Sequence, residues 1–255
     1  RQRQMCIRDS RKGGIHIFHF AYKTNAPEDR LLKIGDFVLS LSMPYSAGVF
    51  FLAMKLKPPK IIRHLFPSLI WEIDDPEGVF LTFDDGPTPG ITEWILATLD
   101  KYDAKATFFV LGKNVEMYPD LYKRILDAGH KVGNHTYSHQ KGWGMSLERY
   151  TEDVDFANDL IHSELFRPPY ARITPAQARA LSQRYKLVMW DVLSRDYSRS
   201  LSPRKCLKNV TKHLEPGAIV VFHDSEKSFR NMRYALPRTL DKIRKLGLKC
   251  KTIEL

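Results

Sequence analysis

The sequence predicts an α/β fold, a distorted (β/α) barrel of about seven parallel strands. Short β-rich apolar runs alternate with helical stretches along most of the chain, the pattern of a parallel sheet covered by helices. The apolar share is 43% of 255 residues, enough for one large packed core. Seven strands would also suit a doubly wound sheet. The barrel is preferred because Asp84, His135, Arg167, Asp196 and His223 all stand at or just past the C-terminal ends of strand-like runs. In a (β/α) barrel those ends meet on one face, where the active site lies.

The elements follow in order. Val79 to Phe83 is a β-rich run stopped by Asp-Asp-Gly-Pro, a buried strand ending in a turn. Ile91 to Tyr102 has helical period, with Ile91, Ile95, Leu96 and Leu99 on one face. Ala106 to Val110 is the next strand, and Tyr118 to Ala128 a helix stopped by Gly129. Residues 131–134 lead into the histidines. Ser146 starts an amphipathic helix through Ile161, with a capping box expected at Glu148 and Arg149. Leu165-Phe166 is a short strand running into Arg-Pro-Pro-Tyr. Thr174-Pro175 opens a helix with proline in its first turn. Lys186 to Trp190 is a strand, Pro203 to His213 a helix, and Ala218 to Phe222 a strand ending in His223-Asp224. Arg230 to Leu246 is a helix, and Leu248 to Ile253 a closing strand.

The first 53 residues read differently. Arg1 to Ser10 has no periodicity, and its MCIRDS run resembles translated adapter sequence. Residues 1–53 are therefore expected to be a non-native or upstream extension, with 54–255 the functional domain. The competing reading makes Phe37 to Ala53, which carries no charged residue, an apolar anchor. The anchor would place the protein at the cell envelope; a start at Met54 would leave it cytoplasmic. The three cysteines, Cys6, Cys206 and Cys250, form no CxxC pair and read as free or buried thiols. Of the net charge of +11, eight basic and four acidic residues fall in 1–53. The modest excess left favours an anionic or neutral polymer. No basic stripe is interleaved with aromatics, so nucleic acid is not an expected partner. Oligomeric state is left open.

The chemistry centres on two clusters. His135 and His139 are four apart, which on a helical turn puts both rings on one side and suits chelation of a borderline cation. Spacing alone does not separate a chelate from two surface histidines; Asp85 supplies a third donor. Asp84-Asp85 alone would read as a turn with a cap. Two adjacent carboxylates after a buried strand repel each other, and a metal on one with a cation on the other would compensate. A His-His-carboxylate set leaves positions open for water and substrate.

Five segments, in order, resemble one family. They are Thr82-Phe83-Asp84-Asp85-Gly86-Pro87, Asn134-His135-Thr136-Tyr137-Ser138-His139, Arg167-Pro168-Pro169-Tyr170, Ser194-Arg195-Asp196-Tyr197 and Val221-Phe222-His223-Asp224. Together they resemble the motifs of the NodB-type polysaccharide deacetylases, carbohydrate esterase family 4. The resemblance implies the NodB homology type of barrel and hydrolysis of acetyl groups from an acetylated glycan. It implies that Asp85, His135 and His139 bind one divalent metal ion, zinc first, with cobalt or nickel as alternatives. Asp84 would be the general base and His223 the general acid. Arg167 would hold Asp84 ionised, Asp196 would raise the His223 pKa, and the Tyr170 N–H would help stabilise the oxyanion.

The chain departs from the family pattern at four places. Ala171 stands where glycine is common, Tyr197 where tryptophan is usual, Leu193 where the fourth motif has its first aspartate, and Val221 where leucine is usual. These bear on substrate preference rather than on the ligands, base or acid. Two competing activities are an O-acetyl esterase on xylan or another acetylated glycan, and a non-catalytic carbohydrate binder. Trp143 is either a groove-wall aromatic or a packed loop residue; Trp190 and the remaining histidines are expected to be core or surface.

Overall fold

The protein is described by a computed structural model, which covers Lys57 and residues 68–255 together with four short strands nearer the N-terminus. Those strands are β1 (Cys6–Lys12) paired antiparallel with β2 (Ile15–Ala21), and β3 (Leu31–Ile34) paired antiparallel with β4 (Phe37–Ser40). They belong to one compact unit, Arg1–Gly48; the second unit is Val49–Leu255. Of the apolar stretch 37–53, β4 covers the first four residues and 41–53 lie outside the described residues, as does Met54. Among the described residues no helix is long and apolar enough to cross a membrane.

The second unit opens with β5 (Leu69–Ile70), β6 (Gly78–Asp84), helix α1 (Ile91–Lys101) and β7 (Thr107–Val110). Helices α2 (Gly112–Met117) and α3 (Pro119–Asp127) follow, then β8 (Lys131–Asn134), α4 (Leu147–Ile161) and β9 (Leu165–Phe166). A 3₁₀ turn (Pro169–Ala171) leads to α5 (Pro175–Leu181), β10 (Lys186–Val188) and β11 (Val192–Leu193). The chain closes with α6 (Pro203–Thr211), β12 (Ile219–His223), α7 (Glu226–Lys245) and β13 (Lys249–Cys250).

The strands run in the order β11-β12-β6-β7-β8-β9-β10-β5, all pairs parallel, with β13 beside the first residues of β6. The sheet has nine strands rather than about seven. The additional ones, β5 and β11, are two residues each, too short for any periodicity to register. Their position closes the barrel. β10 and β11 lie at opposite ends of the strand order, yet only residues 189–191 separate them. Three residues reach roughly 10 Å, so the two ends must approach. Met189 N–H donates to Ile70 O at 2.7 Å on one flank, and Asp191 N–H to Ile219 O at 3.0 Å on the other. An antiparallel bridge between Glu72 and Ala218 completes the irregular seam. Lys57 lies there too, 3.3 Å from Asp191 and hydrogen-bonded to Glu215.

The core has two sides. Along β6, Val79, Leu81 and Phe83 pack outward against Ile95, Leu99, Met232 and Leu236. Phe83 stacks between Phe108 and Phe222, with ring centroids 5.1 Å and 6.1 Å away. Thr82 and Asp84 point the other way and meet Arg167. Every residue of β6 is buried, with Val79, Leu81 and Phe83 on the outer face and Thr82 and Asp84 on the inner. Parallel register brings the strand ends together: His223 pairs with Asp84, Asp84 with Phe109, Val110 with Asn134, and Asn134 with Phe166.

Caps set the entry of two helices. Ser146 Oγ accepts the Arg149 N–H at 3.3 Å, but the expected capping box is absent, because arginine occupies the position from which glutamate would reach back. The box forms instead at Thr174 and Gln177. Gln177 also donates to Gly142 O at 2.9 Å and Met145 O at 3.3 Å, tying down the loop after the histidines.

Candidate active site

The two neighbouring aspartates face different surroundings. Asp84 ends β6 and is buried in the barrel, where its Oδ1 accepts from Arg167 Nη1 at 2.7 Å. Arg167 is fully buried and every arm is used: Nη1 also donates to Thr82 Oγ1 at 2.7 Å, Nη2 to Met189 O at 2.7 Å and Nε to Val188 O at 3.1 Å. Its guanidinium lies 4.0 Å from the Phe109 ring centroid. Asp85 takes a left-handed φ of 82°, so its side chain leaves the barrel interior. The next residue must be glycine: a Cβ on Gly86 would sit 2.2 Å from Asp224 Oδ2. Asp224 is itself buried and fixed, its Oδ2 accepting from Thr92 Oγ1 at 2.5 Å and its N–H donating to Asp84 O at 2.7 Å. Burial pushes its carboxyl up to about 8, against the Thr92 bond.

His135 and His139 are not on a helical turn, which corrects the reading from their spacing. They bracket a loop bent by left-handed φ angles of 67° at Thr136 and 59° at His139. Asn134 Oδ1 accepts the Thr136 N–H at 2.8 Å and holds the first bend. Asp153, on α4, holds the rest: it accepts Ser138 Oγ–H at 2.6 Å and the Tyr137 N–H at 3.1 Å. Sequence reasoning missed Asp153, one of several acids on a surface helix; only its fold partners distinguish it. The loop nevertheless brings the rings together, with centroids 5.2 Å apart.

Asp85, His135 and His139 offer three ligand atoms within 4.8 Å of one another. His135 Nδ1 lies 2.7 Å from Arg167 O, so that nitrogen carries the proton and Nε2 presents a lone pair. Burial, the largest influence, drives the His135 pKa down to about 4, so the ring is neutral at ordinary pH. Its Nε2 then faces Asp85 Oδ1 at 3.8 Å, acceptor against acceptor. His139 Nε2 is 3.2 Å from the same oxygen, and His139 Nδ1 is 3.1 Å from Tyr170 Oη. Burial raises the Asp85 carboxyl, but His139, His223 and His135 beside it outweigh burial and hold it below the usual carboxylate range. Asp85 Oδ1 has no hydrogen bond of good geometry among the described residues, His139 Nε2 standing 3.2 Å away. Two imidazoles and a carboxylate oxygen converging on one point fit a divalent cation of zinc type.

On the other side stands His223. Its Nδ1 is 2.8 Å from Asp196 Oδ1, and its backbone N–H donates to Asp196 Oδ2 at 2.8 Å. Asp196 is fully buried and fixed in turn, its N–H on Ser194 Oγ and its carbonyl accepting from Asn231 Nδ2 at 2.8 Å. Burial works against a charged His223. The Asp196 carboxylate, then Asp85 and Asp84, overcome it and raise the pKa to about 9. His223 is therefore cationic at neutral pH, with Nε2–H free to donate.

Two tyrosines flank these groups. The Tyr170 ring packs on His139 with centroids 4.7 Å apart, and Tyr197 meets His223 edge-on at 5.0 Å. Tyr170 and Ala171 take consecutive left-handed φ angles of 59° and 52°, which explains why glycine suits the second position. The Tyr170 N–H has no acceptor among the described residues. Trp143 is half-buried, its indole donating to Ile173 O at 3.4 Å under the Arg172 guanidinium, so it packs the loop. Trp190 is core. All eight site residues expected from the sequence are thus brought to one end of the barrel.

Comparison with known proteins gives the same direction. The family model for polysaccharide deacetylase matches residues 73–189. A peptidoglycan-N-acetylglucosamine deacetylase of Bacillus cereus is 32% identical over 192 residues, 72% of this chain and 90% of that protein. Another protein of the same name and organism is 36% identical over 160 residues, 58% of this chain. The match spans 56% of that second relative's length. The crystal structure of a peptidoglycan N-acetylglucosamine deacetylase aligns with a TM-score of 0.69 at 28% identity, over 73% of this chain and 91% of that one.

Proposed function

Because the chain belongs to the polysaccharide deacetylase family, we propose that it hydrolyses acetyl groups from N-acetylglucosamine-containing glycans of peptidoglycan or chitin type, releasing acetate. It is then a hydrolase of carbon–nitrogen bonds other than peptide bonds. One observation carries this reading. A carboxylate oriented by a buried arginine and a histidine kept cationic by a buried aspartate stand in neighbouring register, beside three converging metal-type donors.

The reaction needs a base, an acid and fixed positive potential. Arg167 occupies Oδ1 of Asp84, so the other carboxylate oxygen takes the proton from the attacking water. Arg167 pairs with that carboxylate at 2.7 Å and is itself anchored on Thr82 Oγ1, so the carboxylate is held in place. Asp85, His135 and His139 would hold a divalent cation, which when bound would supply Lewis acidity toward water and a carbonyl. The Tyr170 N–H is available to the oxyanion. His223 gives the Nε2 proton to the departing amine, while Asp196 stabilises the imidazolium before transfer. The names of the relatives support the N-acetylglucosamine substrate.

The test is acetate release from N-acetylated and O-acetylated oligosaccharides by the native protein and by Asp84→Asn. Amide cleavage is expected, with kcat falling about 100-fold to 10,000-fold in the variant while bound metal is retained. Cleavage of esters alone would make the protein an O-acetyl esterase. Unchanged turnover in Asp84→Asn would remove the base assignment.

A further inference from the structure

The wall beside His223 is unusually basic. Tyr197 forms its inner surface, edge-on to His223. The Lys227 ammonium lies 5.6 Å from the Tyr197 ring centroid. Asn231 knits the wall together: its Nδ2 donates to Asp196 O at 2.8 Å and to Ser198 O at 3.2 Å, joining loop 195–199 to the first turns of α7. The exposed ionisable residues of that loop and those turns are Arg195, Arg199, Lys227 and Arg230, against the single acid Glu226. Arg195 takes a left-handed φ of 57° directly before the buried Asp196, and its guanidinium lies close enough to Tyr197 to act on the phenol. Burial raises the Tyr197 phenol pKa, and the Arg195 guanidinium nearby opposes that rise. Across the site, Arg172 lies 6.0 Å from the Tyr170 ring.

None of these four cations has a task in acetyl hydrolysis. The negative charge of the site is already answered, Asp84 by Arg167 and Asp196 by His223. A neutral sugar chain gains nothing from them, since it carries no charge to attract. A carboxylate near the scissile group would find Arg195 and Lys227 beside Tyr197, which would both steer its approach and fix its register.

We propose that Arg195 and Lys227, supported by Arg199 and Arg230, recognise a carboxylate carried by the glycan strand, so that acidic N-acetylated strands are preferred over neutral ones. This rests on the deacetylase reading and narrows its substrate class. The carboxylate can belong to a sugar or to a peptide attached to it.

Three probes separate the cases: neutral N-acetylglucosamine pentamer, peptide-free strands alternating N-acetylglucosamine and N-acetylmuramic acid, and the same strands bearing peptides. The expected kcat/KM ratio of acidic to neutral substrate is about tenfold at low salt. It should shrink toward one as salt rises and screening sets in. In the double variant Arg195→Gln/Lys227→Gln the ratio should fall several-fold, and Arg195→Lys/Lys227→Arg should restore most of it. An attached peptide consumes the sugar carboxylate as an amide, so preference for the peptide-free acidic strand alone places the carboxylate on the sugar, preference for the peptide-bearing strand alone places it on the peptide, and preference for both means that either carboxylate serves. A ratio near one in the native protein, a ratio insensitive to salt, or one untouched by the double variant overturns the inference while leaving deacetylation standing. No acetate from any probe overturns the deacetylase reading and this inference with it.

Discussion

Asp84 and Asp85 are adjacent and chemically identical, yet the backbone gives them different surroundings. The left-handed φ at Asp85 and the close approach of Asp224 at Gly86 send one side chain to Arg167 and the other toward two imidazoles. His223 and Asp196 form the second pair. Because Asp196 raises the His223 pKa to about 9, the imidazolium proposed as the proton donor persists through neutral pH and is lost as pH rises through that value. The basic limb of the kcat profile is accordingly expected near 9. In Asp196→Asn burial prevails, so the limb should move down by about one pH unit or more and kcat should fall; pH profiles of the two proteins check this. At this scale the sequence pointed to residues that the fold gathers at one end of the barrel. The eight site residues lie inside short ordered motifs whose residue types fit the chemistry. Asp153, Asp224 and Asn231 were not legible, because each acts only through a hydrogen bond across the fold.

Strand β6, the helices around it and the strand ends follow from apolar periodicity and turn residues. The loop from His135 to His139 does not. A spacing of four suggested a helical turn, but the same spacing is met by a loop with two left-handed residues. What shapes that loop is the pair of contacts from Asp153 on α4 and from Asn134 at the end of β8. Asp153→Ala is therefore expected to weaken metal binding by about 10- to 100-fold through loss of ligand orientation. Metal titration checks it, with circular dichroism to establish that α4 remains folded. The capping box was misplaced for an equally local reason: a box needs a side chain that can accept at the third helical position, and Arg149 cannot.

For the whole catalytic unit, the deciding feature is how the barrel closes. The sequence indicated a barrel because its reactive residues fell at strand ends, but it did not reveal β5 and β11, whose pairing depends on partners distant in sequence. Arg167 crosses that closure from inside, binding Asp84 on one side and the carbonyls of Val188 and Met189 beside the seam on the other. Arg167→Met would strand a buried carboxylate, so a loss of about 3–5 kcal/mol is expected in urea unfolding. A loss below about 1 kcal/mol would mean that the pair is solvated. Metal reconstitution shows whether this barrel end hydrolyses acetyl groups with a bound metal. Protein stripped by a chelator is titrated with zinc while bound metal and acetate release from an N-acetylated glycan are followed together. The expected result is no turnover in the stripped protein, recovery in proportion to metal bound up to one ion per chain, and neither binding nor recovery in Asp85→Ala. Full acetate release after chelation, or an Asp85→Ala protein as active as the native one, would contradict it.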